Sequence, residues 1–127
     1  MDIALDEFRL AAERIAPIIH RTELEHSATF SAMTGGDIFL KCENRQKTGS
    51  FKLRGASNKL ASMAARGERG GVVASSAGNH AQGVAYAAKM FSIPATIVMP
   101  ETAPIAKVQA TEGYGARVVL AGSCYDD

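Results

Sequence analysis

Gly71-Val72-Val73-Ala74-Ser75 runs directly into Ser76-Ala77-Gly78-Asn79-His80-Ala81-Gln82-Gly83, and the fold turns on how that junction is read. Small and β-branched residues behind a glycine predict a short buried strand. The run of small and amide-bearing residues after it leads into a helix over about 81–90. Ala95-Thr96-Ile97-Val98-Met99 reads as a second strand, stopped by Pro100, and Pro104 suits the first turn of a helix reaching about Glu112. Behind Gly115, Ala116-Arg117-Val118-Val119-Leu120 reads as a third strand. Strand, helix, strand, helix, strand with nearly all-apolar strands predicts a parallel sheet buried on both faces by helices, with right-handed crossovers. The expected class is therefore α/β, in a three-layer α/β/α arrangement.

Upstream the signals are shorter. Phe8, Ala11, Ala12 and Ile15 recur at helical spacing over 6–15, with Pro17 just beyond as a stop. Thr34-Gly35-Gly36 is a turn signal, and Asp37-Ile38-Phe39-Leu40-Lys41-Cys42 follows as a strand. Phe51 to Ala65 has helix-forming composition and ends before Gly67.

Composition narrows the function classes. Hydrophobic residues make up 46% and charged residues 21% of the 127, and the net charge is +1, normal for a globular protein with a largely aliphatic core. The basic residues are scattered, so neither a nucleic-acid groove nor a membrane patch is expected. No apolar run could span a bilayer, and the acidic opening with Asp2, Asp6 and Glu7 does not read as a secretion signal. Cys42 and Cys124 lie far apart in the sequence, as in a cytoplasmic protein with two free thiols. No His, Cys or Asp group has metal-ligand spacing. His20 and His26 lie in a loop stretch, and Lys89 and Lys107 read as surface charges.

Two constellations carry chemistry. In Thr48-Gly49-Ser50-Phe51-Lys52-Leu53-Arg54-Gly55-Ala56, Lys52 falls at a helix N-terminus, where the helix dipole disfavours positive charge. A neutral amine is the form that attacks an aldehyde, although most lysines at helix starts are solvated surface residues. Arg54 has no acidic partner that the sequence names. The second constellation, 75–83, joins the carboxyl end of a strand to a helix start, where ligands of open α/β sheets bind. Free N–H groups there hold anions such as carboxylates. An ordinary loop capped by Ser76 or Asn79 fits the same residues.

Taken together, Ser50-Phe51-Lys52-Leu53-Arg54-Gly55-Ala56 and Ser76-Ala77-Gly78-Asn79-His80-Ala81-Gln82-Gly83 resemble the serine/threonine dehydratase family, fold type II of the pyridoxal-phosphate (PLP) enzymes, with a tryptophan synthase β-like fold. Arg21-Thr22-Glu23-Leu24, Phe39-Leu40-Lys41-Cys42-Glu43-Asn44 and Met99-Pro100-Glu101-Thr102-Ala103-Pro104 with Lys107 extend the likeness from about residue 6 to 125. The resemblance implies that Lys52 binds the PLP aldehyde covalently and later acts as base at the substrate Cα. Phe51 would pack beside the cofactor ring, and Asn79 would hydrogen-bond the ring 3′-oxygen. Ser76, Ala77, Asn79 and His80 would cradle the carboxylate of an amino-acid substrate. Loss of the β-hydroxyl would take L-threonine to 2-oxobutanoate and ammonia, or L-serine to pyruvate. Related racemases carry a serine at the position of Ala77 as acid/base on the second ring face, so alanine argues for dehydration over racemisation.

Departures from the family pattern matter equally. The family's glycine-rich phosphate loop and its C-terminal Ser or Thr against the pyridine nitrogen have no counterpart here. The resemblance makes residues 1–65 the first segment of the large PLP-binding domain and 66–127 an incomplete small α/β domain, so a truncated fold is expected, inactive alone, from a homo-oligomeric full-length protein. The chain stops at Gly122-Ser123-Cys124-Tyr125-Asp126-Asp127 with the third strand left as an edge. A serine racemase or hydroxyaspartate dehydratase of the same fold, or a non-catalytic folding or interaction fragment, are the alternatives.

Overall fold

A computed structural model describes residues 3–124. Met1, Asp2 and the closing Tyr125, Asp126 and Asp127 lie outside the described residues, and with them the reading of the chain's first and last positions. The order is α1 (Leu5–Ile15), β1 (Leu24–His26), α2 (Ala28–Thr34), β2 (Phe39–Lys41), a 3-10 turn (Glu43–Arg45), α3 (Lys52–Ala65), β3 (Val72–Ser75), α4 (Asn79–Met90), β4 (Ala95–Met99), α5 (Ile105–Gly113) and β5 (Arg117–Leu120).

From residue 72 onward the expected alternation is present. β3, β4 and β5 pair in parallel in chain order, with Ala74 opposite Ile97 and Ile97 opposite Val118. Side chains alternate across a sheet, so Val72, Ala74, Ile97, Met99 and Val118 share one face. That face packs into a single cluster with Ala81, Val84, Ala85, Ala87 and Ala88 of α4, Val108 of α5 and Leu53, Ala56 and Leu60 of α3. Leu53, Ile97 and Met99 are fully buried, and full burial of such side chains stabilises by about 1.5–3 kcal/mol each. The α4 stretch is so rich in alanine and glycine that its backbone approaches its neighbours closely.

Among the described residues, helices cover one face of this sheet. Val73 points away from the cluster and is 76% exposed. Thr96, its partner in β4, is only half-buried, and Arg117 next to it in β5 is exposed. Apolar composition marks a strand as able to be buried; which layers cover it depends on elements elsewhere in the fold.

The first third also departs from expectation. α1 has the helical register, yet only Ile15 is buried and Phe8 stays 59% exposed. The strand expected over 37–42 shortens to Phe39–Lys41 and pairs antiparallel with β1, a strand that the sequence did not announce. Between them lies α2, also unannounced. Ser27 caps it by accepting the Phe30 N–H at 3.3 Å, and Gly35 closes it, so the Thr34-Gly35-Gly36 signal marks a helix end. A helix of seven residues is too short for periodicity to declare. His26 therefore sits in β1, where its ring packs edge-on against Phe39 and its Nε2 lies 3.1 Å from the Ser31 hydroxyl. Cys42 is half-buried just past β2.

Candidate active site

The turn before α3 brings Lys52 into place. Gly49 adopts φ +70°, a left-handed conformation that glycine takes without strain, and its N–H donates to the Gln46 carbonyl at 2.7 Å. Gln46 is buried and clamps the backbone of His20 in both directions: its Oε1 accepts the His20 N–H at 2.8 Å and its Nε2 donates to the His20 carbonyl at 2.9 Å. α3 then starts at Lys52 itself. Leu53 is buried, whereas Lys52 and Phe51 face outward, with the Lys52 ammonium 5.2 Å from the centre of the Phe51 ring. The hydroxyls of Thr48 and Ser50, buried in the same turn, have no hydrogen-bond partner among the described residues.

Arg54, the residue after Leu53 in the helix, has the acid that the sequence left unnamed. Its Nε donates to Glu43 Oε2 at 2.9 Å and its Nη2 to Glu43 Oε1 at 2.7 Å, a two-pronged pair, and Nη2 also reaches the Thr22 hydroxyl at 3.2 Å. Lys41 Nζ donates to the Thr22 carbonyl at 2.6 Å. The Arg54 hydrogen bonds hold the Glu43 carboxyl below the usual carboxylate range, with partial burial opposing them, and Glu43 in turn raises Arg54. This network ties the start of α3 to the β1–β2 segment.

The second constellation takes a different local form from a capped loop. Ser76 is buried and its N–H donates to the Val98 carbonyl at 3.0 Å, fixing it at the end of the sheet. α4 starts at Asn79, two residues earlier than expected, with Gly78 at its cap position and no side-chain cap. Neither Ser76 nor Asn79 caps it; the Ser76 hydroxyl accepts the Gly78 N–H at 3.2 Å and so tightens the turn. Asn79, His80 and Ala81 open the helix, and the first N–H groups of an α-helix have no carbonyl within it to donate to. The positive end of the α4 dipole adds to them, which makes this turn suited to an anion.

The two constellations meet across one open cleft of about 400 Å3, lined by Lys52 on one side and the turn 75–80 on the other. Ser76, Ala77, Asn79 and His80 all contribute to its wall; Phe51 does not, standing instead beside the Lys52 amine. Lys107 was expected as a surface charge like the exposed Lys89. It is half-buried, and its Nζ donates to Asn79 Oδ1 at 2.9 Å. No pattern in the sequence pointed to this contact or to Glu43, because each partner lies on another element.

A cleft that sets an amine against a helix-start anion cradle has donors for an aldehyde and for one carboxylate, and none of its lining residues corresponds to a phosphate loop. The sequence profile of the family described as pyridoxal-phosphate dependent enzyme matches residues 15–127. The chain belongs to the pyridoxal-phosphate dependent enzymes. Within that family it is similar to the L-threonine ammonia-lyase of Thermotoga maritima, 52% identical over 125 residues, which cover 98% of this chain and 31% of that protein. The solved structure of maize serine racemase superposes with a TM-score of 0.90 at 42% identity, covering all of this chain and 39% of the racemase. The processed form of threonine deaminase isoform 2 from Solanum lycopersicum superposes with a TM-score of 0.79 at 37% identity, covering 98% of this chain and 38% of the deaminase. The chain thus spans about a third of the length of these PLP-family relatives. No helix of the described residues is long and apolar enough to cross a membrane.

Proposed function

We propose that the protein containing this chain is a PLP-dependent threonine/serine ammonia-lyase, with Lys52 as the lysine that bonds to the cofactor aldehyde. The observation that carries the reading is the placement of Lys52 and the turn 75–80 on opposite sides of one cleft. Bound PLP supplies a sink for the negative charge left when a proton departs the substrate Cα. The chain's own residues do the rest. The N–H groups at the start of α4 and the Ser76 hydroxyl hold the substrate carboxylate, which fixes the Cα next to Lys52. The Lys52 amine, on the wall of the same cleft, would be the base that takes the Cα proton. Asn79 and His80 supply polar contacts at the cleft wall, and Phe51, beside the Lys52 amine and outside that wall, would reach the cofactor ring only at the Lys52 end. Loss of the β-hydroxyl as water, followed by hydrolysis, turns L-threonine into 2-oxobutanoate and ammonia and L-serine into pyruvate and ammonia.

Racemisation is the second reading, favoured by the fit to maize serine racemase. Ala77 weighs against it, since alanine has no proton to deliver to the second face of the substrate carbon. The antiparallel β1–β2 pair and the parallel β3–β5 sheet are separate sheets, which supports a division into residues 1–65 of a large domain and 66–127 of a small one. The activity is assigned to the complete protein, taken as a cytoplasmic homo-oligomer; the chain spans 31% of the length of the Thermotoga maritima relative.

The test is borohydride reduction of the native protein with PLP, followed by peptide mapping, alongside assay of 2-oxobutanoate from L-threonine. Label on Lys52 together with 2-oxobutanoate release supports the reading. Label on another lysine, or D-serine as the main product from L-serine, overturns it.

A further inference from the structure

Lys107 stands on the first turn of α5, held by its N–H to the Pro104 carbonyl at 2.8 Å. Its aliphatic stem lies along Gly78, where a Cβ would meet the Lys107 Cδ at 3.6 Å and Cγ at 3.7 Å. From there the ammonium reaches Asn79 Oδ1 at 2.9 Å. We propose that Lys107 is a positioning residue of the cleft: it fixes which way the Asn79 side-chain amide is turned, so that the Asn79 Nδ2 is the group left to donate to a bound ligand. The inference rests on the reading of the cleft given above.

The chemistry is one-directional. An ammonium carries three donors and no acceptor, so it can pair only with the oxygen of an asparagine amide. With Oδ1 engaged, Asn79 turns its two N–H donors toward the ligand side. That suits an electron-rich oxygen such as a phenolate on the cofactor ring and disfavours the flipped amide, whose oxygen would face it. A neutral residue at 107 leaves both orientations open, and part of the population then presents the wrong group. Packing of the stem on Gly78 limits the side-chain freedom that Lys107 must give up to hold this pose.

The experiment uses the native protein and titrates it with PLP, followed by absorbance. Lys107→Met keeps the stem and removes the donor; Lys107→Arg restores one; both are also made in an Asn79→Ala background. Loss of a hydrogen bond from a charged donor should loosen PLP binding about tenfold in Lys107→Met, and Lys107→Arg should recover most of it. The thermal midpoint of the cofactor-free protein should move by less than about 2 °C. In the Asn79→Ala background Lys107→Met should change PLP binding no further. Affinity unchanged in Lys107→Met, additive losses in the double variant, or a large fall in the cofactor-free midpoint that Lys107→Arg does not repair would each overturn the positioning role. Unsubstituted protein that binds no PLP overturns the functional reading and this inference together.

Discussion

Gly83 lies directly against the backbone of Lys52: a Cβ on Gly83 would sit 3.1 Å from the Lys52 carbonyl carbon and 3.2 Å from its oxygen. The glycine in the anion-turn segment thereby sets how close α4 lies to α3, and so how far the Lys52 amine stands from the turn at 75–80. The contacting atoms are backbone, which cannot swing aside as a flexible side chain would.

Gly83→Ala should therefore act on both the fold and the cleft. Overpacking at a backbone contact costs on the order of 1–3 kcal/mol, and α4 must shift away from Lys52 to relieve it. Urea unfolding of the native protein should show a lower midpoint, and PLP titration should show weaker binding. A variant with unchanged values for both would mean that the two helices do not meet as described.

Lys52→Ala should separate chemistry from folding. The side chain is exposed at the first position of α3, and alanine has high helix propensity, so the thermal midpoint without cofactor should stay within a few degrees, about 3 °C at most. Ammonia release from threonine and borohydride labelling should both be lost. Retention of either would remove Lys52 from its role.

The Glu43–Arg54 pair predicts an acid-side dependence of stability. The Glu43 carboxyl lies below its ordinary value in the folded state, chiefly through hydrogen bonds from Arg54. Its contribution is complete above the unfolded carboxylate range and is lost as pH falls through the depressed folded value. Glu43→Gln should cost on the order of 1–2 kcal/mol at neutral pH. Chemical denaturation at a series of pH values should show that difference shrinking in acid, and a gap that persists unchanged at low pH would contradict the assignment.

Ala77→Ser tests why this chain should eliminate rather than invert. The added hydroxyl lies in the cleft wall, where it can give a proton to the second face of the substrate carbon. Chiral chromatography of reactions with L-serine should detect D-serine from the variant and none from the unsubstituted protein. Equal D-serine from both would make position 77 irrelevant to the outcome.

The strands and helices after residue 70 were legible because their signals are contiguous: a β-branched run, a glycine, a proline, a helical stretch. β1 and α2 were not, since three and seven residues carry too little periodicity, and the Ser27 cap was the one local sign of the helix. Lys52, Ser76, Ala77, Asn79 and His80 could be named through the likeness of their two motifs to the serine/threonine dehydratase family; position alone marked only a lysine at a helix start and a turn suited to an anion. Phe51 could be named through the same likeness, while its standing outside the cleft wall could not.

The sequence alone determined the order of elements after residue 70, the aliphatic character of the core and the presence of an amine-bearing helix start and of an anion-suited turn. Those properties depend on neighbours along the chain, through backbone geometry and hydrogen bonds made within a few residues. Only the tertiary structure decided that Gly83 abuts Lys52, that Arg54 pairs with Glu43, that Lys107 holds Asn79 and that Lys52 and the turn 75–80 share one cleft. Each of these is a contact between elements apart in sequence, and it is set by how helices and sheet pack in space.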